Sequence, residues 1–286
     1  MNNNIQEEIE NIIKDIIVYC HNNGLKLPEF LNSAKEMLLS AHLNIGLIGA
    51  FNSGKSTLLN CLIGKDLLPR GFLPTTAAIT TIDFSENEEL KYELRDGQIQ
   101  TTTFKNENIK SLISVKKIEK EDEVSKVWIK YPINYGRNIS FIDTPGIDDI
   151  DELRSLRTVS ILSQVDVAIL LFVHPITSTV LNFLKENVIG REINKIFFCM
   201  THIDKGGVRE NIEKVYEDNE KEIEKMLGFK PVIHAIDLLG CLNSISRDGQ
   251  KSNEFIQFEN EFRHFIEGSE AKKILFGRAI TKIQYT

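Results

Sequence analysis

The chain has 286 residues, of which 42% are hydrophobic, so it can bury a substantial core in one large domain with a small appendage. Its formal net charge of −7 gives no positive potential that would attract phosphate backbones, so nucleic acid is not an expected partner. The four cysteines show no metal-ligand spacing and the N-terminus does not resemble a signal peptide, so we expect reduced thiols and a cytoplasmic protein.

The first 41 residues are predicted to be helical. Isoleucines recur at helical spacing between Ile5 and Ile17, opposite a face rich in acidic side chains. An acidic face favours packing on protein, because a helix that lies on a membrane prefers lysine and arginine there. After a break at residues 24–28, a second short helix is predicted over residues 30–38.

A phosphate-binding loop is predicted next. Residues 43–48 form an apolar run typical of a buried strand, and residues 57–63 predict a helix that ends at Gly64. The segment between them matches the pattern G-x-x-x-x-G-K-[ST], as Gly49-Ala50-Phe51-Asn52-Ser53-Gly54-Lys55-Ser56. Backbone N–H groups of such a loop and the helix N-terminus cradle a polyphosphate. We expect Lys55 to reach the outer phosphates and Ser56 to bind Mg²⁺. A chance glycine-rich turn is the alternative, and the flanking strand and helix argue against it.

The following loop, residues 65–76, contains two prolines and a glycine and is predicted to lack regular structure. Its position just past the phosphate-loop helix suits a segment that senses the nucleotide. Thr75 or Thr76 could offer a second hydroxyl to Mg²⁺. The alternative is an ordinary connector with solvated threonines.

Residues 79–131 are predicted to be rich in strands. Strands are expected at 79–84, 90–95 and 98–104, and Asp96-Gly97 predicts a hairpin turn between the last two. A charged helix and loop are expected over residues 105–123, before another strand at 124–131.

A second phosphate-sensing segment follows a predicted strand at residues 139–142. It reads Asp143-Thr144-Pro145-Gly146. Asp143 can hold Mg²⁺ through water, and the Gly146 N–H can bond a γ-phosphate. D-x-x-G alone is a weak signal, but it is strong when it follows a phosphate loop in this order.

The rest of the chain alternates strands with helices. Strands are predicted at 165–173, 195–200 and 231–236, and helices at 178–188, 210–227, 255–266 and 274–283, with Ser252 or Asn253 as a cap and a break at Gly268. This alternation predicts an α/β fold with a mostly parallel central sheet and helices on both faces. The ligand is expected at the carboxyl ends of the strands. We expect an N-terminal helical segment (1–41), an α/β domain that carries the phosphate loop (42–245), and a C-terminal helical segment (246–286) that packs on the N-terminal helices or on the α/β domain.

Asp204, in Thr201-His202-Ile203-Asp204, decides the predicted base. Its carboxylate can accept from both N1–H and N2–H₂ of guanine, whereas adenine lacks this donor pair and would lose roughly 1–3 kcal/mol. A helix-capping aspartate is the common alternative. The order of the three motifs favours GTP.

Three segments together resemble the GTPase domain of bacterial dynamin-like proteins: Gly-Ala-Phe-Asn-Ser-Gly-Lys-Ser-Thr-Leu-Leu-Asn, Leu-Pro-Thr-Thr and Asp-Thr-Pro-Gly. The resemblance covers about residues 40–240. It implies the phosphate-loop GTPase fold in its dynamin-type extended form, with GTP or GDP as ligand, Mg²⁺ as cofactor and a monovalent cation as a further candidate. The implied nucleotide-binding residues are Gly49, Asn52, Ser53, Gly54, Lys55, Ser56, Thr57, Gly146, Thr201, His202, Asp204 and Lys205. The implied metal ligands are Ser56, Thr76 and Asp143, and the implied catalytic residues are Asn52, Ser53, Lys55 and Thr76.

The resemblance also implies partners. Relatives dimerise across their nucleotides and remodel membranes through a helical stalk, so we expect a homodimer through the nucleotide face or a separate partner that carries a stalk. Either would give an indirect, peripheral association with membranes. The helical segments at both ends would pack as a bundle beside the GTPase domain or cover the edges of the sheet. The chain is expected to be the GTPase domain of a longer protein or to work with such a partner.

Two residues depart from the family pattern. His202 stands where the guanine motif usually has lysine, so an imidazole would replace the alkyl stem beneath the base. Ile147 stands where Ras-type GTPases have the glutamine that orients water, so hydrolysis needs another source. Asn52 is expected to stabilise the transition state instead.

Three functions therefore remain open from the sequence. The first is a dynamin-like GTPase that is stimulated by dimerisation, and the second is a switch that binds GTP and hydrolyses it slowly or not at all. The third is an ATP-using phosphate-loop enzyme, which His202 would favour.

Overall fold

The structure, a computed structural model, describes residues 4–25, 42–70, 78–113, 124–144, 146–147, 161–189, 193 and 195–284. The sequence predictions that lie outside the described residues include the second N-terminal helix at 30–38 and the role of Thr75 or Thr76.

The described residues form one nine-stranded sheet. Its strands are β1 (Leu43–Gly49), β2 (Ile79–Phe84), β3 (Glu89–Leu94), β4 (Ile99–Thr102), β5 (Val124–Tyr131), β6 (Ile139–Asp143), β7 (Val167–Val173), β8 (Lys195–Thr201) and β9 (Ile233–Ala235). They lie in the order β4-β3-β5-β2-β6-β1-β7-β8-β9. Strands β6, β1, β7, β8 and β9 are parallel. The predicted mostly parallel sheet is confirmed.

The other half of the sheet has mixed directions. Strand β2 is antiparallel to β6 and parallel to β5. The predicted hairpin at Asp96-Gly97 joins β3 and β4, which pair antiparallel. Because β2 is reversed, it begins at the edge where β6 ends, and Thr80 pairs with Asp143.

Strand β7 shows why the central strands read as continuous apolar runs in the sequence. Six of its seven residues are buried, because helices cover both faces of a parallel sheet. Edge strand β4 is largely exposed among the described residues, Ile99 included.

Helices lie on both sides of the sheet, as predicted. The helices of the described residues are α1 (Asn4–Asn22), α2 (Lys55–Ile63), α3 (Asn106–Ile113), α4 (Ser178–Asn187), α5 (Ile212–Leu227), α6 (Leu238–Asp248), α7 (Asn253–Glu267) and α8 (Ser269–Gln284), with a 3₁₀ turn at Arg209–Asn211. One apolar cluster joins the sheet to α2, α6 and α7. A second joins the opposite face to α4 and α5. None of the helices in the described ranges combines the length and the apolar character that crossing a bilayer requires.

The C-terminal helices follow their sequence signals, with one addition. Ser252 caps α7 by accepting from the Phe255 N–H, and α7 gives way to α8 at Gly268, as predicted. Helix α6 was not predicted. Asp237, which accepts from the Gly240 N–H, and the left-handed Gly249 mark its two ends.

Strand register brings the predicted motifs to one edge of the sheet. Leu47 pairs with Asp143, Gly49 with Leu171, and Val173 with Thr201. The ends of β1, β6, β7 and β8 therefore line up at the carboxyl edge, where an open α/β sheet binds its ligand.

Candidate nucleotide site

The loop between β1 and α2 curls tightly around the Lys55 side chain. Asn52 and Gly54 have left-handed backbones, with φ of +60° and +96°. The Lys55 Nζ donates to the carbonyl oxygens of Gly49 and Ala50, at 2.9 Å each. Since the first N–H groups of a helix have no partner within it, α2 offers donors and positive potential at the same point. The arrangement suits a polyphosphate.

Gly49 is required by a close approach of backbones. A Cβ at this position would lie 2.4 Å from the Leu171 carbonyl oxygen and 2.5 Å from the Ser53 Oγ. No side chain fits there unless β7 or the loop moves. The first glycine of the motif therefore sets how closely the loop is held to the sheet.

Ser56 and Asp143 form a pair suited to a divalent cation. The Ser56 Oγ donates to Asp143 Oδ2 at 2.7 Å. Asp143 is buried, and within the described residues its Oδ1 has no hydrogen-bond partner. Burial raises the pKa of Asp143, while the charge of Lys55 and the bond from Ser56 lower it in part. A hard cation would satisfy the remaining oxygen, and carboxylate with hydroxyl is a donor set that Mg²⁺ accepts.

The segment after β6 is attached to the phosphate loop and to the strand that precedes it. The Thr144 hydroxyl donates to the Leu47 carbonyl at 2.6 Å, and the Ile147 N–H donates to the Gly49 carbonyl at 3.2 Å. The Ile147 side chain is buried in the same cluster as Ile48. Ile147 is thus a packing residue, in agreement with the expectation that it does not orient water.

The end of β8 is also attached to the phosphate loop. The Thr201 hydroxyl is buried and donates to the Ser53 carbonyl at 2.8 Å. The next residue, His202, has a left-handed backbone with φ of +57°. Burial lowers the pKa of His202 and Lys205 lowers it further, while Asp204 and Asp237 oppose them. The imidazole is therefore biased toward its neutral form.

The other predicted site residues differ in their exposure. Asn52, Asp204 and Lys205 are exposed and free to meet a ligand or a partner, and Thr57 is half-buried. The Ser53 side chain is fully buried, and its Oγ has no hydrogen-bond partner within the described ranges. Any contact of Ser53 with a ligand would therefore go through its backbone.

The family model described as the Dynamin family matches residues 45–203, which is more than half of the chain. This chain belongs to the dynamin family. The match begins in β1 and includes the phosphate loop, the Asp143 segment and the end of β8.

Relatives with dynamin-like names support the same family. Dynamin-like protein 2 of Campylobacter jejuni is 33% identical over 146 residues, which cover 47% of this chain. Dynamin-like protein A of Bacillus subtilis is 27% identical over 187 residues, which cover 64% of this chain. These alignments span only 23% and 15% of those two proteins. This dynamin-family chain therefore corresponds to a part of them.

A solved structure of an oligomerised bacterial dynamin pair has the same fold. The two superpose with a TM-score of 0.69 at 20% sequence identity, over 98% of this chain and 46% of that one. At this identity the match concerns the fold, and it agrees with the predicted phosphate-loop GTPase architecture.

Sequence reasoning missed two residues of this dynamin-family site. Asp237 is close enough to His202 to affect its pKa, and Leu238 approaches Gly54, where its Cδ1 would lie 3.0 Å from an added Cβ. Both follow β9 at the carboxyl edge of the sheet. The available signal was an aspartate directly after the last predicted strand, which also reads as a helix cap.

Proposed function

We propose that this dynamin-family chain binds GTP with Mg²⁺ and hydrolyses it to GDP and phosphate. One observation carries the proposal. Lys55, Ser56 and Asp143 converge at the carboxyl edge of the sheet, and the base-side residue Thr201 bonds to the same loop.

The phosphate-side roles follow from these contacts. Lys55 would exchange its two carbonyl partners for the outer phosphates, since charge-assisted hydrogen bonds are the stronger ones. Ser56 and Asp143 would hold Mg²⁺, which neutralises charge on the phosphate oxygens when bound. The backbone N–H groups of the loop, with that of Gly146, would bind phosphate oxygens.

Thr76 is the proposed threonine of the sensing loop, with Thr75 as its alternative. The direction of β2 supports this. Thr80 pairs with Asp143, so the chain enters β2 beside the metal pair, and Thr76 precedes it by four residues. Each residue spans at most about 3.6 Å, so the threonine is within reach of that edge.

We propose that guanine lies between the ends of β8 and β9. Asp204 would accept from N1–H and N2–H₂ of the base. His202 is biased toward the neutral form and half-buried, so it can offer an imidazole face where lysine is usual. Lys205 and Asp237 would lie around this part of the site.

A switch that binds GTP and hydrolyses it slowly is the second candidate. The observation that favours it is the buried Ile147, which offers no polar group to an attacking water. In the GTPase proposal the phosphate loop itself positions the attacking water, through the exposed Asn52 and the backbone of Ser53. The loop would become ordered for this when two chains dimerise across their nucleotides.

The cellular role we propose is GTP-dependent membrane remodelling, in a homodimer or with a partner that carries a stalk. The solved bacterial dynamin pair is described as a mechanism for long-range sensing and tethering of membranes. In this proposal residues 42–245 are the GTPase domain, and residues 1–41 and 246–286 are helical segments that pack beside it.

Nucleotide binding is tested with Lys55→Ala. We expect this variant to lose at least about tenfold in affinity for labelled GTP, because a charged hydrogen bond contributes about 1.5–3 kcal/mol. Lys221→Ala is the matched control, since Lys221 is exposed on α5 and pairs there with Glu217, one turn away. Unchanged GTP affinity in Lys55→Ala would refute the phosphate-loop proposal.

Guanine selectivity is tested by competition against labelled GTP. Unlabelled ATP that competes as well as unlabelled GTP would refute it.

A further inference from the structure

Asn60, in the middle of α2, is fully buried and bonds to the segment that follows the helix. Its Nδ2 donates to Asp66 Oδ1 and to the Leu68 carbonyl oxygen, at 3.0 Å each. Its Oδ1 accepts from the N–H groups of Leu67 and Leu68, at 3.0 and 2.8 Å. Because backbone N–H groups can meet only the oxygen, the orientation of the amide is fixed. All four hydrogen-bonding positions of one side chain are therefore used on three consecutive residues.

Further contacts hold the same segment, residues 66–70, here called the entry segment because it is the first part of the sensing loop (residues 65–76). The side chains of Leu67 and Leu68 are buried in the apolar cluster that contains α2. Arg70 donates to both oxygens of Asp66, from Nε at 3.1 Å and from Nη2 at 2.8 Å. The entry segment is thus attached to α2 through Asn60 and two leucines.

Helix α2 connects this entry segment to the candidate metal pair. Ser56, which donates to Asp143 at 2.7 Å, precedes Asn60 by four residues. Residues four apart lie on the same face of a helix, about 6 Å apart along its axis. One face of α2 thus contacts Asp143 with its first turn and the entry segment with the next. After the sensing loop the chain enters β2, where buried Thr80 pairs with Asp143.

The choice of an amide at position 60 favours a role beyond stability. Helix α2 buries Leu58, Leu59 and Leu62 in the apolar cluster, and an apolar side chain gains free energy from burial without needing partners. A buried amide must have its hydrogen bonds satisfied to be tolerated. When it is fully bonded, it specifies one arrangement of the groups that it contacts. Asn60 therefore determines where the entry segment lies on α2.

We propose that Asn60 is a positioning residue for GTP hydrolysis, a role that rests on the proposed function. By fixing the entry segment on α2, it sets the point from which the chain leads to the proposed threonine, Thr76 or Thr75, at the metal pair. Asn60 is fully buried, so it does not touch the nucleotide itself. In the proposed site Lys55 and the backbone of the phosphate loop supply the affinity, whereas the threonine acts in hydrolysis. Loss of the Asn60 bonds should therefore lower turnover and leave GTP affinity nearly unchanged.

The test uses the whole chain and Asn60→Asp at neutral pH. The new side chain has the same size and keeps both acceptor bonds, but it sets a carboxylate against the Leu68 carbonyl and Asp66. Turnover is measured by phosphate release and affinity with labelled GTP, at a temperature where circular dichroism shows a folded chain. We expect kcat to fall at least about tenfold, as misplacement of a catalytic group does, and affinity to stay within about threefold.

Hydrogen–deuterium exchange gives a readout that a merely structural role would not change. A non-hydrolysable GTP analogue with Mg²⁺ should slow exchange in the peptides that cover the sensing loop of the native chain. In Asn60→Asp the analogue should bind without this protection. Exchange that is slowed equally in the two chains would overturn the proposal.

Two further variants separate positioning from general loss of packing. Asn219→Asp is the matched control, because Asn219 is as deeply buried on α5 but bonds Ile176 and His174 after β7. Its kcat should stay within about twofold of the native value. Asp66→Ala covers the case in which Asn60→Asp does not fold, since Asp66 is only half-buried. We expect it to lower kcat at least about threefold with affinity retained, because one of the Asn60 bonds is lost.

The outcomes distinguish this inference from the proposed function. Native kcat in both Asn60→Asp and Asp66→Ala would overturn the positioning role, and so would an equal loss of kcat in Asn219→Asp. A native chain that binds GTP without hydrolysing it would refute the proposed GTPase activity, and the exchange experiment, which needs binding alone, then decides the positioning role. A native chain that does not bind GTP would refute both.

Discussion

At the scale of single residues, several side chains support the phosphate loop without facing a ligand. Thr201 donates to the Ser53 carbonyl and Thr144 to the Leu47 carbonyl, and both hydroxyls are buried. The Thr144 bond attaches the end of β1 to the segment after β6, and the Thr201 bond attaches the phosphate loop to the end of β8. The loop is thus preorganised by neighbours, which is what an anion site needs to bind without rearrangement.

Gly49→Ala tests how closely the loop must approach the sheet. The added Cβ would lie 2.4 Å from the rigid Leu171 carbonyl, so we expect a loss of about 1–3 kcal/mol in the free energy of unfolding, as for overpacking, together with weaker GTP binding. Gly277→Ala is the control, because the backbone of this α8 glycine is not left-handed and an added Cβ meets nothing within 4 Å. Urea denaturation measures both. Equal losses in the two variants would contradict the role of the close approach.

The sequence predicts the residues that would meet the ligand better than the residues that hold the loop in place. Lys55, Ser56 and Asp143 were predicted because their chemical type and local order identify them. The contact from Thr201 to Ser53 joins residues 148 positions apart, and Leu238 reaches Gly54 only through the packing of α6. Such contacts depend on tertiary structure, and no local pattern encodes them.

At the scale of elements, a buried polar cluster holds α7 against the sheet. Glu259 accepts from Tyr135 at 2.6 Å, from Lys251 at 2.7 Å and from Arg263 at 2.9 Å. Arg263 also lies over the Tyr135 ring and donates to the Asn134 carbonyl. One carboxylate thus joins α7 to the segment between β5 and β6, and α7 docks in one orientation.

Glu259→Gln tests this cluster and its dependence on pH. Burial alone would raise the pKa of Glu259, but the bonds from Lys251, Tyr135 and Arg263 bring it below the ordinary 4.5. Stability from a lowered carboxyl pKa is present above the unfolded value and is lost as the pH falls through the folded one. We expect the variant to lose about 1–3 kcal/mol at pH 7 and less in acid, by denaturation at both pH values.

The control for this variant is Glu217→Gln, which breaks an exposed pair with Lys221 on α5 and should change stability by less than about 1 kcal/mol. A Glu259 variant as stable as this control at pH 7 would contradict the role of the cluster.

The sequence predicted most elements because their apolar periodicity is strong. Strand β7 is a continuous apolar run, β1 is apolar except for Asn44, and Asp96-Gly97 marks the hairpin between β3 and β4. Helix α6 was missed because its residues mix small and polar types, although Asp237 and Gly249 bound it.

At the scale of the whole molecule, the carboxyl edge of the sheet collects the nucleotide motifs, and Asn52 is exposed there. If a second chain completes this edge, GTP turnover per molecule must rise with protein concentration. We expect that rise in a phosphate-release assay, with Lys55→Ala at the same concentrations as the baseline. A specific activity that stays flat would argue for catalysis by single chains, and one that stays near the baseline would favour the slow switch.

The reversed direction of β2 has a wider consequence. Had this strand run parallel to β6, the chain would enter it from the far side of the sheet, a strand length of roughly 17–20 Å away. No hydroxyl ahead of β2 could then report whether a third phosphate is present beside Asp143. If the chain binds GTP as proposed, the direction of this one strand decides whether a threonine ahead of it can reach the γ-phosphate.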